Sequence, residues 1–228
     1  MKICLLYSKE DFPIHQRRGF LRGIFLERNL PFGQADILVI PERVATTEFS
    51  SSICNEAKRT GSHGIFIDSE KDPQKELITA LYKKGFEIFT PFSKTLCDGV
   101  IPVIETEISG GSLSEYLESA CRVFPRFAVS VRRSAYDIPL PADRNEPPEL
   151  SQKALRTLIS SHDPDIFFSP QLMCKYFLIN TGRDSVRLIL FDDAETVSGK
   201  LRLAKKHGAS HAFLVYREIA DIFDDIYF

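Results

Sequence analysis

The chain has 228 residues, with 29 Lys and Arg against 31 Asp and Glu, a formal charge of −2. Apolar residues make up 43% and charged residues 26%, so the chain has the material for a packed core, which excludes disorder, a collagen-like fibre and a disulfide scaffold. The near-neutral balance argues against a general nucleic-acid binder, which carries a basic excess.

The first apolar run, residues 3–8, reads as a strand. It is too short for a secretory signal and is followed at once by Lys9, Glu10 and Asp11. Further runs rich in Ile, Val and Phe, at 35–41, 64–69, 86–91, 101–108, 127–132, 166–169 and 212–216, read as buried strands. Asp72-Pro73 opens a helix with Leu77, Ile78 and Leu81 on one face and Gly85 at its end. Ser112-Leu113-Ser114-Glu115 has the form of a capping box ahead of Tyr116, Leu117 and Ala120. Residues 139–148, rich in Pro and charge, read as a surface loop. Ser151 caps a helix carrying Leu155, Leu158 and Ile159. Runs 175–180 and 187–191 flank the turn signal Asn180-Thr181-Gly182-Arg183-Asp184 and predict a hairpin. Asp193 or Thr196 opens the last long helix, with Val197, Leu201 and Ala204 inside and Gly208 just past its end.

Without the hairpin, eight strands, most followed by a helix, predict an α/β fold. It is a compact (β/α)8 TIM-like barrel, one domain over residues 1–228, with a β-hairpin inserted before the last helix and strand. An open doubly wound sheet is the alternative, but no Gly-x-Gly-x-x-Gly or Walker-type loop follows the first strand. No uncharged run reaches the roughly 18 residues that span a bilayer. The cysteines at 4, 54, 97, 121 and 174 are scattered, and none has a His at ligand spacing. The expectation is a cytoplasmic protein with reduced thiols, no cofactor, no metal, no membrane and no nucleic acid. The sequence is silent on oligomeric state.

In such a barrel the site lies at the C-terminal ends of the strands. Those ends carry Asp68 and Glu70, Glu105 and Glu107, Arg132, and Tyr216 followed by Glu218. Alternation puts Gly64, Phe66, Asp68 and Glu70 on one face and Ile65, Ile67 and Ser69 on the other. If the isoleucines pack on the helices, Asp68 and Glu70 point into the barrel mouth. Two carboxylates that close repel, which raises one pKa and suits that group to general acid work. Glu105 and Glu107 share a face and form either a second carboxylate pair or an ion pair with Arg132. His15, His162, His207 and His211 read as surface residues, and His63 lies at the end of its strand away from the mouth.

The run His63-Gly64-Ile65-Phe66-Ile67-Asp68-Ser69-Glu70 resembles the Asp-x-x-Asp-x-Asp-x-Glu signature of family 18, chitinase-type glycoside hydrolases, with His63 and Phe66 at its first two Asp positions. Leu190-Phe191-Asp192-Asp193, followed by Ala194-Glu195-Thr196-Val197 and Lys200, resembles the family's aromatic-acidic-acidic stretch before the last helix, and the run 209–216 resembles its final strand. The resemblance implies Glu70 as general acid and Asp68 as the residue that orients the substrate's acetamido group. It implies a strand-end aromatic under the sugar, here Tyr216 in place of Trp, which the chain lacks. The family carries its signature on the fourth strand, whereas the count here makes it the third. Two functions follow. One is a glycosidase-like enzyme acting on a small soluble sugar or amino-sugar conjugate, with Asp68 and Glu70 catalytic and Tyr216, Glu105, Glu107 and Arg132 contacting substrate. The other is an inactive barrel of the same descent that binds a small molecule or a protein partner. A third and weaker reading is a phosphate site at Arg132.

Overall fold

The computed structural model describes residues 1–11, 17, 19–27, 35–69, 74–92, 99–108, 110–141, 147–182 and 185–228. Glu70, Asp72, Pro73, His15, Cys97 and Ser109 lie outside the described residues. Twelve strands are described. In chain order they are β1 (Lys2–Tyr7), β2 (Leu21–Phe25), β3 (Ile37–Pro41), β4 (Gly64–Asp68), β5 (Glu87–Pro91), β6 (Val100–Glu105), β7 (Ala128–Ser130), β8 (Ala135–Leu140), β9 (Phe167–Ser169), β10 (Cys174–Asn180), β11 (Val186–Phe191) and β12 (His211–Val215). The first seven and β12 close an eight-stranded barrel in which every neighbouring pair is parallel.

The helices are α1 (Ser50–Thr60), α2 (Lys75–Lys83), α3 (Leu113–Val123), α4 (Gln152–His162), α5 (Ala194–Lys206) and the short α6 (Tyr216–Ile219). Local chemistry sets their ends as the sequence predicts. Ser112 accepts from the Glu115 amide, and Ser151 from the Ala154 amide. Asp193 and Thr196 cap α5 reciprocally, and Gly208 follows it at φ 85°, a left-handed conformation natural to glycine.

Two strand assignments change. The second barrel strand, β2, is absent from the expected set, and run 166–169 is not a barrel strand. Leu-Arg-Gly-Ile-Phe reads poorly as a strand because Gly23 interrupts it. The structure gives the reason: a Cβ there would sit 2.4 Å from Leu6 Cδ2 and 3.2 Å from Cys4 Sγ. Gly23 lets β2 close against β1, with which it pairs through Leu6. Gly23→Val is therefore expected to cost about 1–3 kcal/mol through overpacking, measured as a lower urea midpoint. With β2 in place, Gly64–Asp68 becomes the fourth strand, where the family resemblance wants it.

Run 166–169 instead ends in β9, the edge of a second sheet of order β8-β11-β10-β9. All its pairings are antiparallel, including the expected hairpin β10–β11. The expected loop at 139–148 begins inside β8. This sheet and α4 are inserted between the seventh and eighth barrel strands. One sheet face packs on α4 through Phe177, Ile179, Ile189 and Phe191 against Leu155.

Period-2 alternation divides the barrel core. Cys4, Leu6, Ile37, Val39, Phe66, Phe89, Val103, Ala128 and Phe213 fill the interior. Leu5, Tyr7, Leu38, Ile40, Ile65, Ile67, Ile104, Val129 and Val131 pack outward with the helices.

His211, expected on the surface, is 1% exposed on the barrel floor, with its ring 5.0 Å from that of Phe89. Burial, Lys2, Arg126 and His63 lower its pKa to about 4, against the opposing Glu87 carboxylate. An unfolded imidazole binds its proton near pH 6.5. Between about 4 and 6.5 the unfolded chain holds the extra proton, so stability falls as pH drops through that window, by about 3 kcal/mol at most, and then levels off. Urea unfolding at pH 7 and pH 5 should show this loss, and His211→Leu should remove it.

Candidate functional site

The alternation fixed by the core carries to the strand ends. Ile65 and Ile67 pack on the helix side and Phe66 inside, so Asp68 turns into the mouth, and it is exposed there. Phe66 lies directly below it in the same inward row, its ring 4.9 Å from that of Phe213. An aromatic plug thus stands under the mouth at the position where the resembled signature has its second Asp. On β6 the inward row Ile101, Val103 leads to Glu105. On β7 the outward Val129 and Val131 leave Ser130 and Arg132 inward.

These side chains form one electrostatic cluster. Partial burial raises the pKa of Glu105. Glu107, Asp68 and Glu218 raise it further, and Arg132 opposes them. Arg132 is engaged by other carboxylates: Nη2 lies 3.2 Å from Glu149 and Nε 3.4 Å from Glu218. Burial also raises the Glu218 pKa against the pull of Arg132. The mouth thus holds Asp68, Glu105, Glu107, Glu149 and Glu218 around Arg132, with Arg133 and Arg217 beside Glu149 and Glu218. An anionic ligand would meet net repulsion, which weakens the phosphate reading of Arg132.

Two phenols flank the carboxylates, and sequence reasoning did not single out either as a site residue. Tyr136 enters from β8 of the second sheet and donates to Glu107. Its pKa is pushed to about 12 by burial, by that hydrogen bond and by the carboxylate's charge. Tyr116 on α3 is raised by burial and by the charge of Glu105. Tyr136 is hidden in the sequence because periodicity along the chain does not show that 135–140 pairs with the hairpin. Tyr116 follows the Ser112 cap beside the buried Leu117, yet it is 38% exposed.

Tyr216 is placed elsewhere. It is 3% exposed and belongs to the helix-side core, its ring 5.0 Å from Tyr7 and 5.8 Å from Phe223. It falls one position out of phase with the inward Phe213 and Val215, so the strand wall separates it from the mouth. His63 is exposed at the opposite end of β4, as expected.

A narrow cavity of about 50 Å³ lies between the mouth and the second sheet, lined by Thr106, Glu107, Ile108, Tyr136, Cys174 and Leu190 among others. Asp192 and Lys200, 4% and 3% exposed as side chains, close its inner side with a 2.7 Å ion pair. Among the described residues no group of His, Cys, Asp and Glu has the arrangement of a metal site. No helix among them is long and apolar enough to cross a membrane.

No protein-family model matches the chain, and no curated protein does. Solved structures do. A family 18 chitinase from Cycas revoluta in complex with (GlcNAc)4 superposes with a TM-score of 0.66 at 13% identity, over 99% of this chain and 98% of that one. The spore cortex-lytic enzyme SleL of Bacillus cereus gives 0.62 at 13% identity, over 99% and 74%. A chitinase from Chromobacterium violaceum gives 0.62 at 13% identity, over 93% of each chain. The fold is a family 18 glycoside hydrolase-like barrel.

Proposed function

We propose that this glycoside hydrolase-like barrel hydrolyses a small soluble sugar or amino-sugar conjugate, with Glu70 as general acid and Asp68 as its partner. The observation that carries the reading is the inward turn of Asp68 at the end of the fourth barrel strand, within an acidic cluster that includes Glu105. The family signature puts Glu70 two residues further on. Asp68 then orients the acetamido group, whose oxygen attacks the anomeric carbon as Glu70 protonates the leaving oxygen. Likeness to a chitinase holding (GlcNAc)4 supports an N-acetylated sugar. The excess of carboxylates favours a neutral or cationic substrate over a phosphorylated one. Glu105, Glu107 and Arg132 are proposed to contact the sugar hydroxyls from β6 and β7. Tyr136 and Tyr116 replace Tyr216 as the aromatic contacts.

The test is a panel of chromogenic N-acetylglucosaminides and related glycosides on wild type and Glu70→Gln. Turnover that Glu70→Gln abolishes supports the reading. Saturable binding without turnover by wild type supports the inactive, ligand-binding barrel instead. Buried Phe66, at the position of the signature's second Asp, is the observation that favours this second reading.

A further inference from the structure

The second sheet has two faces, and only one is used for folding. The face on α4 is buried. Register gives the composition of the other. Its row nearest the barrel is Tyr136, Leu190, Tyr176 and Phe167; the next is Ile138, Leu188 and Leu178; the last is Leu140, Val186 and Asn180. None of these carries a charge, and none is buried. Phe167 is 49% exposed and Leu178 51%. Apolar side chains so assembled on an open sheet face mark a binding surface.

Its position says what it binds. Tyr136 donates to Glu107, and Leu190 and Cys174 line the same narrow cavity as Glu107 and Ile108. The face therefore rises from the rim of the proposed sugar site. It extends beyond Tyr136 by four residues of β8, about 14 Å. Above the first row its side chains are aliphatic, and the one polar group, Asn180, is at the far corner. Sugar rings require hydrogen-bond partners and flat aromatic faces, and the upper rows offer neither. Hydrocarbon requires neither.

We propose that this face is a subsite for an apolar aglycone, so that the substrate is a glycoside whose leaving group is an alkyl chain. The inference rests on the proposed sugar site, and it is tested by binding rather than turnover. Methyl and n-octyl 1-thio-β-N-acetylglucosaminide, which resist hydrolysis, are titrated calorimetrically below the concentration at which the octyl compound forms micelles. The octyl compound should bind about 100-fold more tightly than the methyl, half of the full transfer gain per methylene because the face is open. Leu188→Asp should remove that gain and leave methyl binding unchanged. Leu178→Asp, at a half-exposed position where the fold tolerates a charge, should reduce it if Leu188→Asp fails to fold. n-Octanol alone should not compete with the methyl compound.

Equal binding of the two glycosides, or an octyl gain that survives both substitutions, overturns the inference. So does a dimer in light scattering that Leu188→Asp dissociates without changing the octyl preference, since a second copy is then the occupant. Octyl preference without hydrolysis of any glycoside leaves the apolar subsite standing, for a bound ligand in place of a substrate, and removes the catalytic reading. Hydrolysis without octyl preference does the reverse.

Discussion

Glu70→Gln is expected to lower kcat on an N-acetylglucosaminide by about 10²–10⁴-fold while leaving the thermal midpoint unchanged. Gln keeps the shape of Glu but has no proton to give the leaving oxygen. Asp68→Asn should also be slow, because it removes the charge that orients and stabilises the acetamido group. The competing acid is Glu105. Burial and the Glu107 carboxylate hold its pKa above the usual range, so it retains a proton to higher pH than a free glutamate. With Glu70 as acid, Glu105→Gln mimics that protonated form and retains most of the rate. With Glu105 as acid, Glu105→Gln is the inactive variant and Glu70→Gln is not. The pH profile separates them again. Glu107→Gln removes a like charge and lowers the Glu105 pKa, so with Glu105 as acid the alkaline limb of kcat moves to lower pH. If it does not move and Glu70→Gln is inactive, the assignment to Glu70 stands.

How much of this was legible depends on which face a residue serves. Gly64–Asp68 was readable because Ile65 and Ile67 announce the helix side and so commit Asp68 to the mouth. The eight-strand barrel was readable in number but not in membership. Gly23 broke the β2 pattern for a packing reason that only Leu6 and Cys4 reveal. Residues 166–169 have the composition of a barrel strand, but the composition of a strand does not say which sheet it joins. Tyr216 failed for a related reason: a strand-end aromatic points inward or outward according to a one-residue phase, and here Phe213 and Val215 take the inward positions. Tyr136 and Glu149 reach the mouth through long-range pairing of the inserted sheet, which periodicity along the chain does not encode.

Lys200→Met is expected to cost about 3–5 kcal/mol, close to the loss of a buried charge's partner. Lys200 Nζ lies 2.7 Å from Asp192 Oδ2, and both side chains are almost fully buried. Asp192 also accepts from the Thr196 hydroxyl at 2.9 Å and from the Ser134 amide at 3.3 Å. It thereby ties α5 to the segment leading from Arg132 into the second sheet. Without Lys200, burial drives Asp192 to take up a proton, a direction already present in the intact pair. For a chain of this size the loss should appear as a fall in Tm of about 10 °C. Asp192→Leu combined with Lys200→Met removes both charges but leaves the Ser134 amide short of an acceptor, while the Thr196 hydroxyl keeps the Asp193 carbonyl. The double variant should therefore recover part of the stability, not all of it. Because Ser134 lies two residues before Tyr136, the single variant should also weaken methyl thioglycoside binding at temperatures where the protein remains folded. Full binding by folded Lys200→Met would confine the ion pair to a structural role, holding α5 without setting the Tyr136–Glu107 contact.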